Sequence, residues 1–284
     1  MTANWTSRDR SLLRSDGRCS VMAIVNVTPD SFSDGARLTD SEMAFRYAAE
    51  CLDAGADILD IGGESTRPFA EPVALEEEWS RVGPLLESFG SRRPGAIVSI
   101  DTRKPEIARR ALALGARIVN DVTGCDPAGD MPGVVSEAGA AIVIMHMQGT
   151  PETMQVEPKY EDAVKEILDF LADRIRSAKQ AGIAAERIAV DPGIGFGKTL
   201  EQNLEILRNL DRFRKLGHAV LIGTSRKRMI GELTGRAVSE RTSGSVASVL
   251  FAASRGADVA RVHDVAATVD ALRVWHALER NHGG

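Results

Sequence analysis

The chain is short of cysteine, of aromatic residues and of long apolar runs, and each shortage narrows what it can be. Its 284 residues include three cysteines. Cys19, Cys51 and Cys125 show neither a disulfide framework nor metal-ligand spacing, so they read as reduced thiols in a reducing compartment. No apolar run approaches the roughly 20 residues that a membrane helix needs. The first twenty residues are polar, carry Arg8, Arg10, Arg14 and Arg18 and lack a continuous apolar segment, which argues against a secretory signal. A cytoplasmic protein without membrane association is expected. The net charge of −5 leaves no general basic face for nucleic acid. Linkers and low-complexity segments are lacking too, so one folded unit is expected over residues 21–284, behind a polar N-terminal extension over 1–20.

Aromatics are only 5% of the chain, and the apolar runs are built from Val, Ile, Ala and Leu. These runs are short, and nearly all end on a polar residue: Asn26, Asp60, Asp101, Asn120, His146, Asp191, Ser225 and His263. The strands are placed at 21–25, 58–61, 96–100, 118–119, 141–145, 188–190, 219–222 and 259–262. Helix-like stretches fill most intervals and close on Gly55, Gly115, Gly139, Gly182, Gly217 and Gly256, where glycine suits a left-handed helix cap. In the first helix, Thr39 and Glu42 form a candidate capping box, and Ala44, Tyr47, Ala48, Cys51 and Leu52 share one face. Near-continuous apolar strands signal burial on both sides, as in a parallel sheet. A doubly wound sheet concentrates its site at one switch point, whereas here almost every strand ends in a hydrogen-bonding group. The fold class is therefore α/β, a single (β/α)8 TIM-type barrel with its active site at the C-terminal ends of the strands.

Several motifs carry chemistry. Asn26 to Gly35 is a long, turn-rich loop that includes Phe32; Asn26 stands where its amide can reach a metal or a phosphate oxygen. Gly62 to Pro68 combines glycines that allow close backbone approach with Thr66 and the anion-binding fork of Arg67. Asp101, Asn120 and Asp191 end three strands and suit a flat heterocycle with exocyclic amino and carbonyl groups. Plainer roles exist for two of them: Asp101 as a cap for the helix opening near Pro105, and Asp191 as a turn residue before Pro192 and Gly193. Gly193 to Thr199 imitates a nucleotide motif without being one. Pro192 occupies a glycine position of a P-loop, and Lys198 one of a dinucleotide fingerprint. What remains is a flexible loop presenting Phe196 at the barrel mouth for stacking. Arg226, Lys227 and Arg228 form a basic turn. Arg261 and His263 alternate onto one face of the last strand and make an anion site. His146 reads as structural; no His/Cys/Asp cluster has zinc spacing.

Together these segments resemble the dihydropteroate synthases, the folate-pathway transferases inhibited by sulfonamides. The matching stretches are NVTPDSFSDG, DIGGESTRP, SIDTRKPEIA, IVNDV, MHMQGTP, DPGIGFGKT, TSRKRMIG and RVHDV, in the family's order, over roughly Val21 to Ala277. The resemblance implies condensation of 6-hydroxymethyl-7,8-dihydropterin diphosphate with 4-aminobenzoate to 7,8-dihydropteroate and diphosphate. It also implies a pterin held by Asp101, Asn120, Asp191 and Lys227, and diphosphate held by Asn26, Arg261 and His263 with Mg2+ at Asn26. Thr66, Arg67, Pro68, Phe32, Phe196 and Arg228 would shape the aminobenzoate pocket. It further implies Asp101, Asp191, Lys227 and Arg261 as the catalytic set, and a homodimer. Two other readings share the scaffold: a methyltransferase moving a methyl group from methyltetrahydrofolate to a corrinoid protein, and a non-catalytic pterin-binding paralogue.

Phe69 and Ala36 depart from the family pattern, which usually has glycine at both positions. Phe cannot reach the backbone conformations glycine allows. Phe69→Gly is therefore expected to change the aminobenzoate KM and sulfonamide inhibition, while pterin affinity stays within about 0.5 kcal/mol. Steady-state kinetics that find all three constants unchanged would reject a role for Phe69 in the pocket.

Overall fold

The structure is a computed structural model and describes residues 4–8, 10–28, 40–65, 71–150, 153–154 and 158–279. A short antiparallel hairpin, β1 (Thr6–Ser7) and β2 (Arg10–Ser11), precedes eight parallel strands: β3 (Ser20–Asn26), β4 (Ile58–Gly62), β5 (Val98–Asp101), β6 (Ile118–Asp121), β7 (Ala141–Met145), β8 (Ile188–Asp191), β9 (Ala219–Ile222) and β10 (Val259–Val262). These eight close into a barrel in the order β10-β3-β4-β5-β6-β7-β8-β9. Around them run α1 (Asp40–Asp53), α2 (Leu75–Arg92), α3 (Pro105–Ala113), α4 (Met131–Ala138), α5 (Ala163–Gln180), α6 (Leu200–Arg208), α7 (Leu210–Arg214), α8 (Arg228–Thr234), α9 (Thr242–Ser254) and α10 (Val265–Glu279). The expected barrel is therefore present. Several strands run one or two residues past the expected ends, because main-chain pairing continues through the terminal polar residue.

Alternation along each strand divides the side chains. One set, including Leu59, Ile61, Val119, Ile142, Val190 and Val262, packs outward in the main core between the barrel and the helices. The other, including Met22, Ile58, Ile118, Val143, Ala189 and Val259, fills a separate inner cluster. Asp60, Asn120, Asp191 and Arg261 follow the inner set two residues further along their strands, so the period-2 geometry turns them into the barrel mouth. The six helix-ending glycines all have positive φ. In α1, Ala44, Ala48 and Cys51 are buried as expected. Thr39 lies outside the described residues, and the Glu42 carboxylate accepts a bond from Arg92 at 2.8 Å. A complete capping box instead opens α6, where Thr199 and Gln202 bond reciprocally.

The N-terminal segment is polar on average but supplies the barrel floor. Trp5 and Leu12 are buried in the same inner cluster as Met22 and Ile58, and the Trp5 indole donates to the Arg187 carbonyl at 3.2 Å. Two apolar side chains in a polar stretch close the barrel at the end opposite the polar mouth.

Candidate active site

Strand register assembles one side of the mouth. Asn26 is level with Gly62, Gly62 with Asp101, and Asp101 with Asn120. At Gly62 this row has no side chain, and a Cβ there would lie 3.4 Å from that of Asp101. Arg261 reaches across from β10. Its Nε donates to Asp60 Oδ2 at 2.6 Å and its Nη2 to Asp101 Oδ2 at 2.6 Å. Asn120 donates to the same Asp60 oxygen at 2.9 Å. Asp60 is fully buried, and its Oδ1 has no hydrogen-bond partner among the described residues. A buried acceptor left unpaired is costly.

Burial dominates the electrostatics. It pushes the Asp101 carboxyl up to about 7, against the pull of Arg261 and with a further push from Asp60. Burial also raises Asp191, with Lys227 opposing it. Lys227 is lowered to about 8, again chiefly by burial, although Asp191 works the other way. For Arg261, burial opposes the charge but the carboxylates of Asp60 and Asp101 outweigh it and hold the guanidinium protonated. The mouth thus combines three buried carboxylates with two half-buried cations, in a setting where charge interactions are stronger than in water.

Asp101 does not cap α3, whose N-cap is Lys104 without a side-chain bond. Asp191 does make the turn, accepting from the Gly193 amide at 2.7 Å, and it still faces Lys227 electrostatically. The three adjacent cations separate. Arg226, at a left-handed φ of 58°, pairs with Asp264 at 2.5 Å. Lys227 donates to the Ile194 carbonyl and lies 4.5 Å from the centroid of the Phe196 ring. Arg228 turns away, with 81% of its side chain exposed and a bond to Glu232 at 2.6 Å. So the structure brings Phe196 to the mouth with Lys227 and leaves the Arg228 side chain out of it. His263 meets Ser225 Oγ through Nδ1 at 3.1 Å, whereas Arg261 is engaged with carboxylates; the anion site expected from these two begins as separate contacts. Phe32, Thr66, Arg67, Pro68, Phe69 and Ala36 lie outside the described residues.

Two residues were missed as site residues. Asp60 stood among the polar strand ends, but the glycine loop behind it drew the functional reading. Lys198 served only to exclude a nucleotide motif, yet it is buried, with its ammonium 3.1 Å from His146 Nδ1, 2.9 Å from the Gly193 carbonyl and 2.8 Å from the Phe196 carbonyl. The loop it holds is tied down rather than flexible. Among the described residues no group of three His, Cys, Asp or Glu side chains could hold a metal ion.

Residues 22–263 match the family model described as pterin binding enzyme. The dihydropteroate synthase of Neisseria meningitidis serogroup C is 48% identical over 265 residues, covering 92% of this chain and 93% of the relative. Among solved structures, the dihydropteroate synthase of Xanthomonas albilineans with 4-aminobenzoic acid superposes with a TM-score of 0.89 at 47% identity, covering 96% of both chains. The same organism's enzyme in complex with 7,8-dihydropteroate gives a TM-score of 0.85 at 45% identity, covering 94% of this chain and 96% of the other.

Proposed function

The chain belongs to the pterin-binding enzyme family, among its dihydropteroate synthases, and from that premise we propose how its barrel mouth carries the reaction. The enzyme is a transferase that joins 6-hydroxymethyl-7,8-dihydropterin diphosphate to 4-aminobenzoate, giving 7,8-dihydropteroate and diphosphate. One observation carries the assignment of residues: Asp101, Asp191, Lys227 and Arg261 converge as opposite charges at one barrel mouth, with Arg261 bonded to Asp101 at 2.6 Å and Lys227 facing Asp191.

Asp191 and Asn120 bind the amino-pyrimidine edge of the pterin, and Lys227 supplies a donor to the ring. The carbon–oxygen bond to diphosphate breaks with its electron pair on the leaving group. Positive charge then spreads into the electron-rich pterin, where the carboxylates of Asp101 and Asp191 stabilise it without reorganisation. The aminobenzoate nitrogen forms the new bond to the positioned carbon, and the acidic anilinium that results passes its proton to the departed diphosphate or to water, so no strong base is needed. A guanidinium has five donors. Arg261 spends two on Asp60 and Asp101 and keeps donors for a diphosphate oxygen beside His263. Phe196 forms the described wall of the aminobenzoate pocket. Phe32, Thr66, Arg67 and Pro68 complete it in this proposal, and Arg228 belongs to its outer rim.

Asn26 is the protein ligand proposed for Mg2+. This ion usually keeps several waters and takes one or two protein oxygens together with substrate phosphates. A single strand-end amide, with no trio of acidic or histidine ligands among the described residues, fits an ion that arrives with the diphosphate. Bound there, Mg2+ would neutralise charge on the leaving group. Aminobenzoate is accordingly expected to bind weakly alone and more tightly with diphosphate and Mg2+; equal affinity in both titrations would rule this order out.

Residues 21–284 are read as the pterin-binding barrel and 1–20 as an extension whose Trp5 and Leu12 reach its floor. A homodimer is proposed, because Leu233, Val238, Phe251, Val274 and Leu278 expose apolar surface along the α8 to α10 side. A cytoplasmic location suits three free, buried thiols; no described helix is long and apolar enough to cross a membrane.

Titration follows from the site. Below about pH 7 Asp101 takes up a proton, and above about pH 8 Lys227 loses its charge, so kcat/KM is expected to be bell-shaped with limbs near those values. Lys227→Arg, which stays charged, should lose the alkaline limb. A profile flat from about pH 6 to 9 would contradict the roles given to both groups. The activity itself is tested by diphosphate release that requires both substrates. Release with dihydropteroate formation supports the synthase. Methyl transfer from methyltetrahydrofolate, or pterin binding without turnover, would replace it.

A further inference from the structure

We propose that Lys198, which touches no substrate in the mechanism above, is a positioning residue that sets the direction of Lys227 toward the bound pterin through the loop that carries Phe196. The inference rests on the proposed pterin role of Lys227 and deepens it.

The loop from Gly193 to Gly197 lies between two ammonium groups. From behind, Lys198 Nζ meets the carbonyls of Gly193 at 2.9 Å and Phe196 at 2.8 Å, with His146 Nδ1 at 3.1 Å and the His146 carbonyl at 3.4 Å. From the mouth, Lys227 Nζ takes the Ile194 carbonyl and lies over the Phe196 ring. Two more bonds fix the same loop. The Gly195 amide donates to Asn203 Oδ1 at 2.7 Å, and Tyr160 donates to the Gly197 carbonyl at 3.0 Å. Neighbouring carbonyls therefore point to opposite sides, and the ammonium behind decides which carbonyl remains for Lys227.

Space permits little else. A Cβ on Gly193 would fall 1.9 Å from the His146 carbonyl oxygen, and one on Gly197 2.9 Å from that of Gln148. The β8 loop is thus laid directly on the β7 loop, with Lys198 bonded to both. Its hydrogen-bond partners are neutral, while Asp191 favours its charge and Lys227 opposes it. Burial, with the nearby Lys198 charge, pushes the imidazole of His146 down to about 3. The buried charge has a cost, and burial lowers Lys198 itself to about 7. An apolar residue would avoid that cost but would leave the carbonyls unpaired. A lysine kept in such a place, one loop away from the mouth and bonded to both loops, points to positioning.

The test is a double-mutant cycle on the full-length protein, read as the Kd of 6-hydroxymethyl-7,8-dihydropterin by calorimetry, with thermal unfolding as the folding control. Lys198→Met is expected to raise Kd about tenfold, and to add less than about twofold once Lys227→Met is present. Asn203→Ala frees the Gly195 amide from the other side. It should act in the same direction and show the same coupling, and it decides the matter if Lys198→Met does not fold. An unchanged Kd in the Lys198 or Asn203 variant overturns the inference. So does full additivity with Lys227→Met, which is what general loosening of the barrel would give. If Lys227→Met weakens binding while Lys198→Met does not, only this inference fails. If Lys227→Met itself leaves Kd unchanged, both this inference and the pterin role of Lys227 fail.

Discussion

Asp191→Asn is expected to weaken pterin binding by about 2–4 kcal/mol, the usual cost of mispairing buried polar groups. The substitution keeps size and shape. It also keeps the turn, because the amide oxygen of Asn can still accept the Gly193 amide that Asp191 Oδ1 accepts at 2.7 Å. What changes is the other terminal atom, which becomes an NH2 donor facing the donors of the amino-pyrimidine edge. The charge that faces Lys227 disappears as well, and with it the attraction that counters the burial of that ammonium. Binding and rate should both fall, because the same carboxylate is proposed to face the cation formed when diphosphate departs. Calorimetry on a folded variant checks the first effect. An unchanged pterin affinity would remove Asp191 from the ring-binding set.

Which parts of this site were legible in the sequence follows from alternation. A strand of period 2 buried on both sides needs apolar residues throughout, so a polar residue at its end stands out. That is why Asp101, Asn120 and Asp191 were found, and why the barrel followed from the whole ring. The partners these residues choose depend on the barrel's curvature, which brings together groups far apart in the chain. Nothing local says that Arg261 will span Asp60 and Asp101, 201 and 160 residues away. Lys198 was hidden for a related reason. Lysine in a glycine-rich loop looks solvated or phosphate-binding, and only the stacking of the β8 loop on the β7 loop shows that it serves carbonyls. The three-cation turn hid its partners in another way: adjacent residues entering a helix point in different directions, so Arg226, Lys227 and Arg228 take three different partners. The floor residues Trp5 and Leu12 were lost in the average polarity of their segment.

Arg261→Met is expected to be the most damaging single change, lowering folding stability at neutral pH by about 3–5 kcal/mol, as when one partner of a buried ion pair is removed. Met fills much of the same volume, so the loss is electrostatic rather than a cavity. Arg261 bonds two carboxylates at 2.6 Å each; without it, Asp60 and Asp101 face each other across a desolvated space. The pH dependence gives the change a signature. In the parent, burial raises Asp101 from 3.8 to about 7. Between those values the folded state holds a proton that the unfolded chain has released, so this group's contribution to stability declines as pH rises toward 7 and is level above it. Removing the guanidinium takes away the largest influence that lowers Asp101, moves its titration upward, and extends the decline to higher pH. The stability gap between variant and parent should therefore widen from about pH 5.5 to pH 8. Urea unfolding of both proteins at the two pH values measures it. Turnover should be lost together with stability, because Arg261 is also proposed to hold diphosphate. A gap below about 1 kcal/mol that does not change with pH would mean that the two carboxylates do not depend on Arg261, and that the charge arrangement at the barrel mouth is held by other groups.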